Sequence, residues 1–305
     1  MIRPPVLKEN DAIGIVSPSG KILPELVLNA ADVLSKYGFC VETGKYVFNT
    51  HHQFAGTDGE RLEDFQRMLD DPEIKAILCS RGGYGAIRII EKLDFTSFCK
   101  KPKWIIGFSD ITIFHAHLNN RLNTMSIHGP MTRMIAEQPD NESVRFLMAM
   151  LKGEKLNYSI PVHPFNHKGE VIGKLTGGNL AILTSLIGTP CDFNPDGKIL
   201  FIEDIGEYLY RIDRMMWQLK LSGKLKGLKG LIVGQFTDMK DNDIPFGQTA
   251  YEIIASHLKD LDIPVVFGFP AGHEEVNWSL TSGANYRLQV DSEKVQLEEI
   301  QDTDI

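Results

Sequence analysis

Residues 103–118 read KWIIGFSDITIFHAHL. Trp104, Ile105 and Ile106 form a short apolar run that stops at Gly107, as a buried strand does, and Ile111, Phe114, His115 and Leu118 then recur at helical spacing. Ser109 and Asp110 stand on the turn between strand and helix. A serine there projects its hydroxyl off the sheet, beside the unpaired first N–H groups of the helix. The hydroxyl suits a nucleophile, and the N–H groups can receive the oxyanion that develops when it attacks. The same two residue types also cap helices. Nucleophilic chemistry at this turn therefore needs partners elsewhere in the chain.

A serine hydroxyl needs a base, and the base needs an orienting acid. Nine histidines are available. His51 and His52 lie in a polar loop, His163 and His167 in a polar, proline-containing stretch, and His257 in an expected helix. His115 and His117 fall inside the helix after the turn, where His115 reads as a packed core residue. His128 and His273 stand at the carboxyl ends of expected strands. His273 closes VVFGFPAGH, a strand followed by a small-residue loop able to hold an imidazole at a fixed angle. For the acid, Glu203 and Asp204 follow the apolar run at 198–202 and are expected just past the end of that strand. A carboxylate leaving a buried strand needs a partner. Spacing alone does not choose between the two. The order Ser109, Glu203, His273 matches that of α/β-hydrolases, but Ile111 stands where G-x-S-x-G would place its second glycine.

Other chemistries find less support. Gly82-Gly83-Tyr84-Gly85 is no P-loop, since no Gly-Lys-Ser/Thr follows, and it falls short of GxGxxG. Cys79 ends a strand beside that loop and reads as a buried, inert thiol. No HExxH or clustered His/Cys set points to a metal, and no cofactor is expected.

The elements that must position these groups alternate. Strands are expected at 11–17, 40–42, 74–79, 104–107 and 124–128, with helices at 22–37, 61–69, 86–93 and after the turn at 107–110. Strands alternating with helices imply a parallel sheet covered on both faces. The loops at 17–20, 80–85 and 108–110 then leave the carboxyl ends of their strands, the edge where open α/β sheets bind ligands. Pro139, Pro161 and Pro164 among polar residues mark 139–168 as a connection between an α/β domain over 1–138 and a second domain over 169–305. The second domain is expected to be smaller, mixed and richer in strands. It has a strand at 170–174, a stretch Thr176-Gly177-Gly178-Asn179 that leads into a helix through Leu186, and a hairpin turning at Asp291 and Ser292.

Composition bounds the reading. A chain of 305 residues holds one large or two ordinary domains, and 43% hydrophobic with 24% charged residues describes a globular protein. A net charge of −8 argues against nucleic acid and membrane surfaces as partners. No apolar run is long enough to span a bilayer, and the first residues lack the basic-then-apolar pattern of a signal peptide. The four cysteines are scattered without a CxxC pair, which favours reduced thiols and a cytoplasmic location.

Seven motifs, in order, carry a resemblance. They are GIVSPSG (14–20), SRGGYGA (80–86), GFSDIT (107–112), HGPM (128–131), LTGGNL (175–180), FIEDIGEYLYRIDRMMWQL (201–219) and FPAGHEEVNWSLTSGA (269–284). Over nearly its whole length the chain resembles the serine LD-carboxypeptidases, a family that includes muramoyltetrapeptide carboxypeptidase and the microcin C self-immunity peptidase. The resemblance implies a flavodoxin-like N-terminal domain, a β-rich C-terminal domain and a homodimer. It implies a triad of Ser109 as nucleophile, Glu203 as acid and His273 as base, and so favours Glu203 over Asp204. The oxyanion donors it implies are the amides of Asp110 and of Gly82 or Gly83. The family reaction is hydrolysis between an L-centre and a terminal D-amino acid, with a murein tetrapeptide as substrate and D-alanine released during cytoplasmic peptidoglycan recycling. Such an enzyme must bind a free carboxylate, which Arg81 can do with charge-assisted bonds. Asn179, at an expected helix start, can hold a substrate carbonyl or amide. The alternatives are cleavage of a microcin-type peptidyl or aminoacyl nucleotide, and a non-catalytic nucleotide-binding α/β protein using the loop at 82–85.

Overall fold

The computed structural model describes residues 1–300, which divide into two compact units: residues 1–155 with 278–281, and residues 156–277 with the chain from 282 onward. In the first unit β1 (Ala12–Val16), α1 (Pro24–Lys36), β2 (Cys40–Thr43), α2 (Asp58–Asp70) and β3 (Ile74–Cys79) are followed by α3 (Thr96–Lys100), β4 (Trp104–Gly107), α4 (Thr112–Arg121), β5 (Ser126–His128), α5 (Thr132–Glu137) and α6 (Glu142–Leu151). Local chemistry sets several ends. Pro24 opens α1, Gly38 at φ 94° follows its last turn, and Thr57 with Glu60 forms a reciprocal capping box on α2. The five strands pair in parallel in the order β2-β1-β3-β4-β5, the doubly wound order of flavodoxin-like sheets. Their central members are buried on both faces, so their sequences are continuous apolar runs.

The second unit contains β6 (Asn157–Pro161), β7 (Gly169–Asn179), α7 (Leu180–Ser185), β8 (Ile199–Ile205), α8 (Leu209–Leu221), β9 (Gly230–Thr237), α9 (Ala250–Leu258) and β10 (Val265–Phe267). Next comes β11 (Leu280–Ser282), which lies beside β5 at the edge of the first sheet, and then β12 (Asn285–Val290) and β13 (Lys294–Ile300). The second sheet runs β10-β9-β8-β7-β12-β13-β6; its β7-to-β10 half is parallel and the rest antiparallel. Helices α7, α8 and α9 supply Leu180, Ile212, Met216, Leu219 and Ile254 to one apolar core with Leu200, Ile202, Val233 and Phe267 of the parallel strands. No helix among the described residues is long and apolar enough to cross a membrane.

Four expectations change. The stretch 139–168 is not an open connection: α6 belongs to the first unit, and β6 is an edge strand of the second sheet. Pro161 misleads because an edge strand tolerates the missing N–H of proline. Helix 86–93 is replaced by two short 3-10 turns, Ala86–Arg88 and Ile90–Lys92, in a segment dense in β-branched isoleucine. The strand expected to end at 174 runs on through Thr176-Gly177-Gly178-Asn179 as part of β7. Gly177 holds φ 134°, and a Cβ there would fall on the Phe201 carbonyl oxygen of β8, so the close approach of the two strands requires glycine. Finally, β8 extends to Ile205, which puts Glu203 and Asp204 inside the strand.

The turn after β4 is an elbow. Gly107 takes φ 156°, and Ser109 is held in the left-handed region at φ 63° before a 3-10 turn, Ser109–Ile111, leads into α4. That conformation costs a side-chain-bearing residue about 1–2 kcal/mol. It lifts Ser109 out of the strand direction while Asp110 and Ile111 stay buried. Releasing the strain should stabilise the protein: Ser109→Gly is expected to exceed Ser109→Ala in unfolding free energy by about 1 kcal/mol. Urea unfolding of the two variants measures this. A Ser109→Gly variant less stable than Ser109→Ala would show that the elbow is unstrained.

Candidate active site

Three loops leave the carboxyl edge of the first sheet and are bonded to one another. The Gly20 N–H donates to the Gly82 carbonyl at 3.0 Å, and the Ser17 and Ser80 hydroxyls share a 2.6 Å bond. The buried Asp110 carboxylate is the tie between all three. One of its oxygens accepts the Ser19 hydroxyl at 2.6 Å and the Ala86 N–H at 2.9 Å. Burial pushes the Asp110 carboxyl up, against these hydrogen bonds and the Arg61 charge. Arg61, itself buried, donates to the Pro18 and Gly85 carbonyls and pairs with Asp58. A charged group is buried at such cost only where its partners are built around it.

This clamp sets the glycine loop against the elbow. A Cβ on Gly82 would lie 2.8 Å from Ser109 Cβ and 3.3 Å from the Asp110 nitrogen. Only a glycine backbone fits that close to the serine, and Gly83 continues the turn at φ 102°. The backbones of Gly82, Ser109 and Asp110 therefore meet at one point. Behind the elbow, the buried His115 ring bridges the Gly107 carbonyl at 2.9 Å and the Ser126 hydroxyl at 2.8 Å. A carbonyl only accepts, so Nε2 carries the hydrogen and Nδ1 receives the hydroxyl. Burial holds His115 down to about 4, so it stays neutral and serves as the packed core residue expected. Cys79 is buried as well, and desolvation pushes its thiol far up, away from nucleophilic use. Arg81 is exposed and donates to the Lys21 carbonyl at 2.8 Å.

The second unit holds a buried carboxylate–imidazole pair. Glu203 is fully buried in β8, and its Oε2 lies 2.7 Å from Nδ1 of His273. The loop carrying His273 is braced on both sides. Gln235 of β9 accepts the Glu274 N–H at 3.0 Å and donates to the Val276 carbonyl at 2.8 Å, and Asn277 accepts the Gly272 N–H at 3.0 Å. Gly272, at φ 146°, packs against Gln235 and Glu203, where a Cβ would lie 3.0 Å from the first and 3.4 Å from the second. The imidazole is thereby held on one carboxylate. Burial opposes its charging, but the charge and hydrogen bond of Glu203, with the Asp204 charge behind, outweigh that cost and raise His273 above its ordinary value. Such a ring, fixed at Nδ1, presents Nε2 as a base.

Asp204 faces elsewhere. It accepts from Asn179 Nδ2 at 2.9 Å and from the Ala181 N–H at 2.9 Å. Asn179 is engaged at both ends of its amide, since its oxygen also caps α7 at the Ile182 N–H. The residues that sequence reasoning passed over are Ser19, Arg61, Gln235 and Asn277. Each acts through a partner distant in the chain or through a loop backbone, and no spacing signals such a bond.

Models of the LD-carboxypeptidase N-terminal and C-terminal domains match residues 13–129 and 172–288. A probable murein peptide carboxypeptidase of Bacillus subtilis is 33% identical over 92% of this chain and 90% of its own. The crystal structure of a muramoyltetrapeptide carboxypeptidase from Oxalobacter formigenes superposes with a TM-score of 0.86 at 32% identity, covering 95% of this chain and 99% of that one. The microcin C7 self-immunity protein MccF shares the fold, with a TM-score of 0.86 at 23% identity over 97% of this chain and 98% of that one. Matched in both halves by the family's own domains, and sharing about a third of its residues with full-length relatives, the chain belongs to the LD-carboxypeptidase family.

Proposed function

We propose that the protein is a serine LD-carboxypeptidase that removes the terminal D-alanine of murein tetrapeptides in cytoplasmic peptidoglycan recycling, acting as a homodimer. The observation that carries the reading is the 2.7 Å bond from buried Glu203 to Nδ1 of His273, in a chain of this family that also holds a serine on a strained elbow. Relatives named for murein peptides support the substrate class.

The steps follow from the residues. Ser109 Oγ attacks the scissile carbonyl while His273 Nε2 takes its proton. Glu203 holds the ring in the tautomer with hydrogen on Nδ1 and favours the imidazolium that forms. The N–H groups of Asp110 and of Gly82 or Gly83 receive the oxyanion. Collapse of the tetrahedral intermediate breaks the C–N bond, and His273 returns the proton to the leaving D-amine. Water then attacks the acyl-enzyme with His273 again as base, and the second tetrahedral intermediate collapses by breaking the bond to Ser109 Oγ, which takes the proton back from His273 as the shortened peptide leaves. Arg81 reads the terminal carboxylate beside the glycine loop. Asn179 bears on the substrate through the position it gives its neighbours or through its own amide.

Incubation of the purified protein with tetrapeptides carrying lysine or diaminopimelate before the D-alanine, followed by mass spectrometry, tests the reaction. Release of D-alanine is expected from at least one of them, and none from either overturns the reading. Ser109→Ala should lower kcat by several powers of ten, and Glu203→Gln by about 10⁴. Adding His273→Ala to Ser109→Ala should cost little more, because one broken member already disables the relay.

The pH profile has a definite sign. His273 must be neutral to accept the proton, so kcat/KM falls as pH drops through its pKa. That pKa is raised, so the acid limb is expected above 6.5. A limb well below 6.5 would show that His273 is not the base.

Amidating the substrate carboxylate should cost on the order of 2–5 kcal/mol in kcat/KM, as for one partner of a charge pair removed. Arg81→Ala should erase the preference for acid over amide. Full discrimination by that variant would assign the carboxylate to another group.

A further inference from the structure

Strand β8 carries two adjacent buried carboxylates, Glu203 and Asp204. Neighbouring residues of a strand point to opposite faces. Glu203 goes to His273, and Asp204 goes to the start of α7. The Asp204 carboxylate meets only donors there. One oxygen accepts from Asn179 Nδ2 at 2.9 Å and from the Ile205 N–H at 2.8 Å, and the other from the Ala181 N–H at 2.9 Å. Between the pairs Ile202 with Val233 and Asp204 with Phe236, β9 carries one residue more than β8, so Glu203 lies opposite a bulge of β9, while on the other side β7 pairs Asn179 with Glu203. A bulge interrupts the ladder locally, so β8 is held at Glu203 by its other bonds.

We propose that Asp204 is a positioning residue: locked to Asn179 and to the first turn of α7, it fixes β8 where its ladder with β9 is interrupted and so keeps Glu203 on Nδ1 of His273. Its effect on catalysis rests on the function proposed above. Its effect on His273 does not. The charged group acting on Asp204 is Glu203 of its own strand, and burial together with that charge pushes its carboxyl up to about 7, against the amides of Ile205, Asn179 and Ala181. The charges acting on His273 are Glu203 and, behind it, Asp204. An asparagine at 204 supplies one acceptor oxygen where the donors require two, and it removes the charge.

The test uses the full chain with labelled histidines and follows the His273 imidazole by NMR titration, the signal being assigned by its loss in His273→Gln. In Asp204→Asn the His273 midpoint is expected to fall relative to the wild type, and kcat on the tetrapeptide to fall about 10- to 100-fold with KM nearly unchanged. Asn179→Ala keeps the Asp204 charge and removes one anchor. It should lower kcat in the same way, and it serves as the second variant if Asp204→Asn does not fold. An unchanged His273 midpoint and an unchanged kcat in folded Asp204→Asn overturn the proposal. So does an Asn179→Ala variant whose defect lies in KM alone, since Asn179 then touches substrate instead of holding Asp204. A wild type that hydrolyses neither tetrapeptide sinks the proposed function, and the titration then decides the Asp204 question by itself.

Discussion

Ser109 stands in a backbone conformation that its own side chain disfavours, and the surrounding residues are arranged to keep it there. Its φ of 63° persists because Gly107 before it can turn at φ 156°, because Asp110 after it is bonded to two other loops, and because Gly82, without a Cβ, lets the glycine loop pack directly against the elbow. Strain of this kind survives only where neighbours over-determine it. The parallel sheet provides the neighbours: β1, β3 and β4 are adjacent, so the loops after them emerge side by side.

Buried charge does the holding in both units. In the first, the Asp110 carboxylate and the Arg61 guanidinium sit among loop carbonyls and amides that would otherwise face one another unpaired. In the second, Glu203 and Asp204 anchor an imidazole and a helix start from opposite faces of one strand. One of them, Asp204, works against stability in a defined pH window. The Asp204 carboxyl lies at about 7 against an ordinary 3.8, so its contribution favours the folded state at acid pH and is lost as pH rises through the folded value. The molecule accepts that loss at the place where a carboxylate fixes β8.

Glycine defines the close approaches. Gly82 meets the Ser109 elbow, Gly177 lets β7 lie on β8, and Gly272 lets the histidine loop settle on Gln235 and Glu203. All three stood out in the sequence as parts of small-residue motifs, yet their neighbours did not. Gly177 falls beyond the strand expected at 170–174 and proves to be part of it, because the requirement it meets comes from the next strand and not from its own segment.

The sequence by itself determined the parallel architecture of the first unit, the elbow at Ser109 and the family. Apolar runs alternating with helical periods admit few other folds, and seven ordered motifs admit few other families. Local pattern could not separate Glu203 from Asp204, since both follow one apolar run, and only the bond at 2.7 Å shows which of them holds His273. The segment 139–168 was misread for a related reason: α6 and β6 take their identity from the sheet and unit they join, and the prolines near them speak only of local backbone. The partners of Asp110 lie 91 and 24 residues away, at Ser19 and Ala86. Hydrogen bonds across such separations leave no period or spacing in a sequence, so the clamp on the elbow was decided by tertiary structure alone.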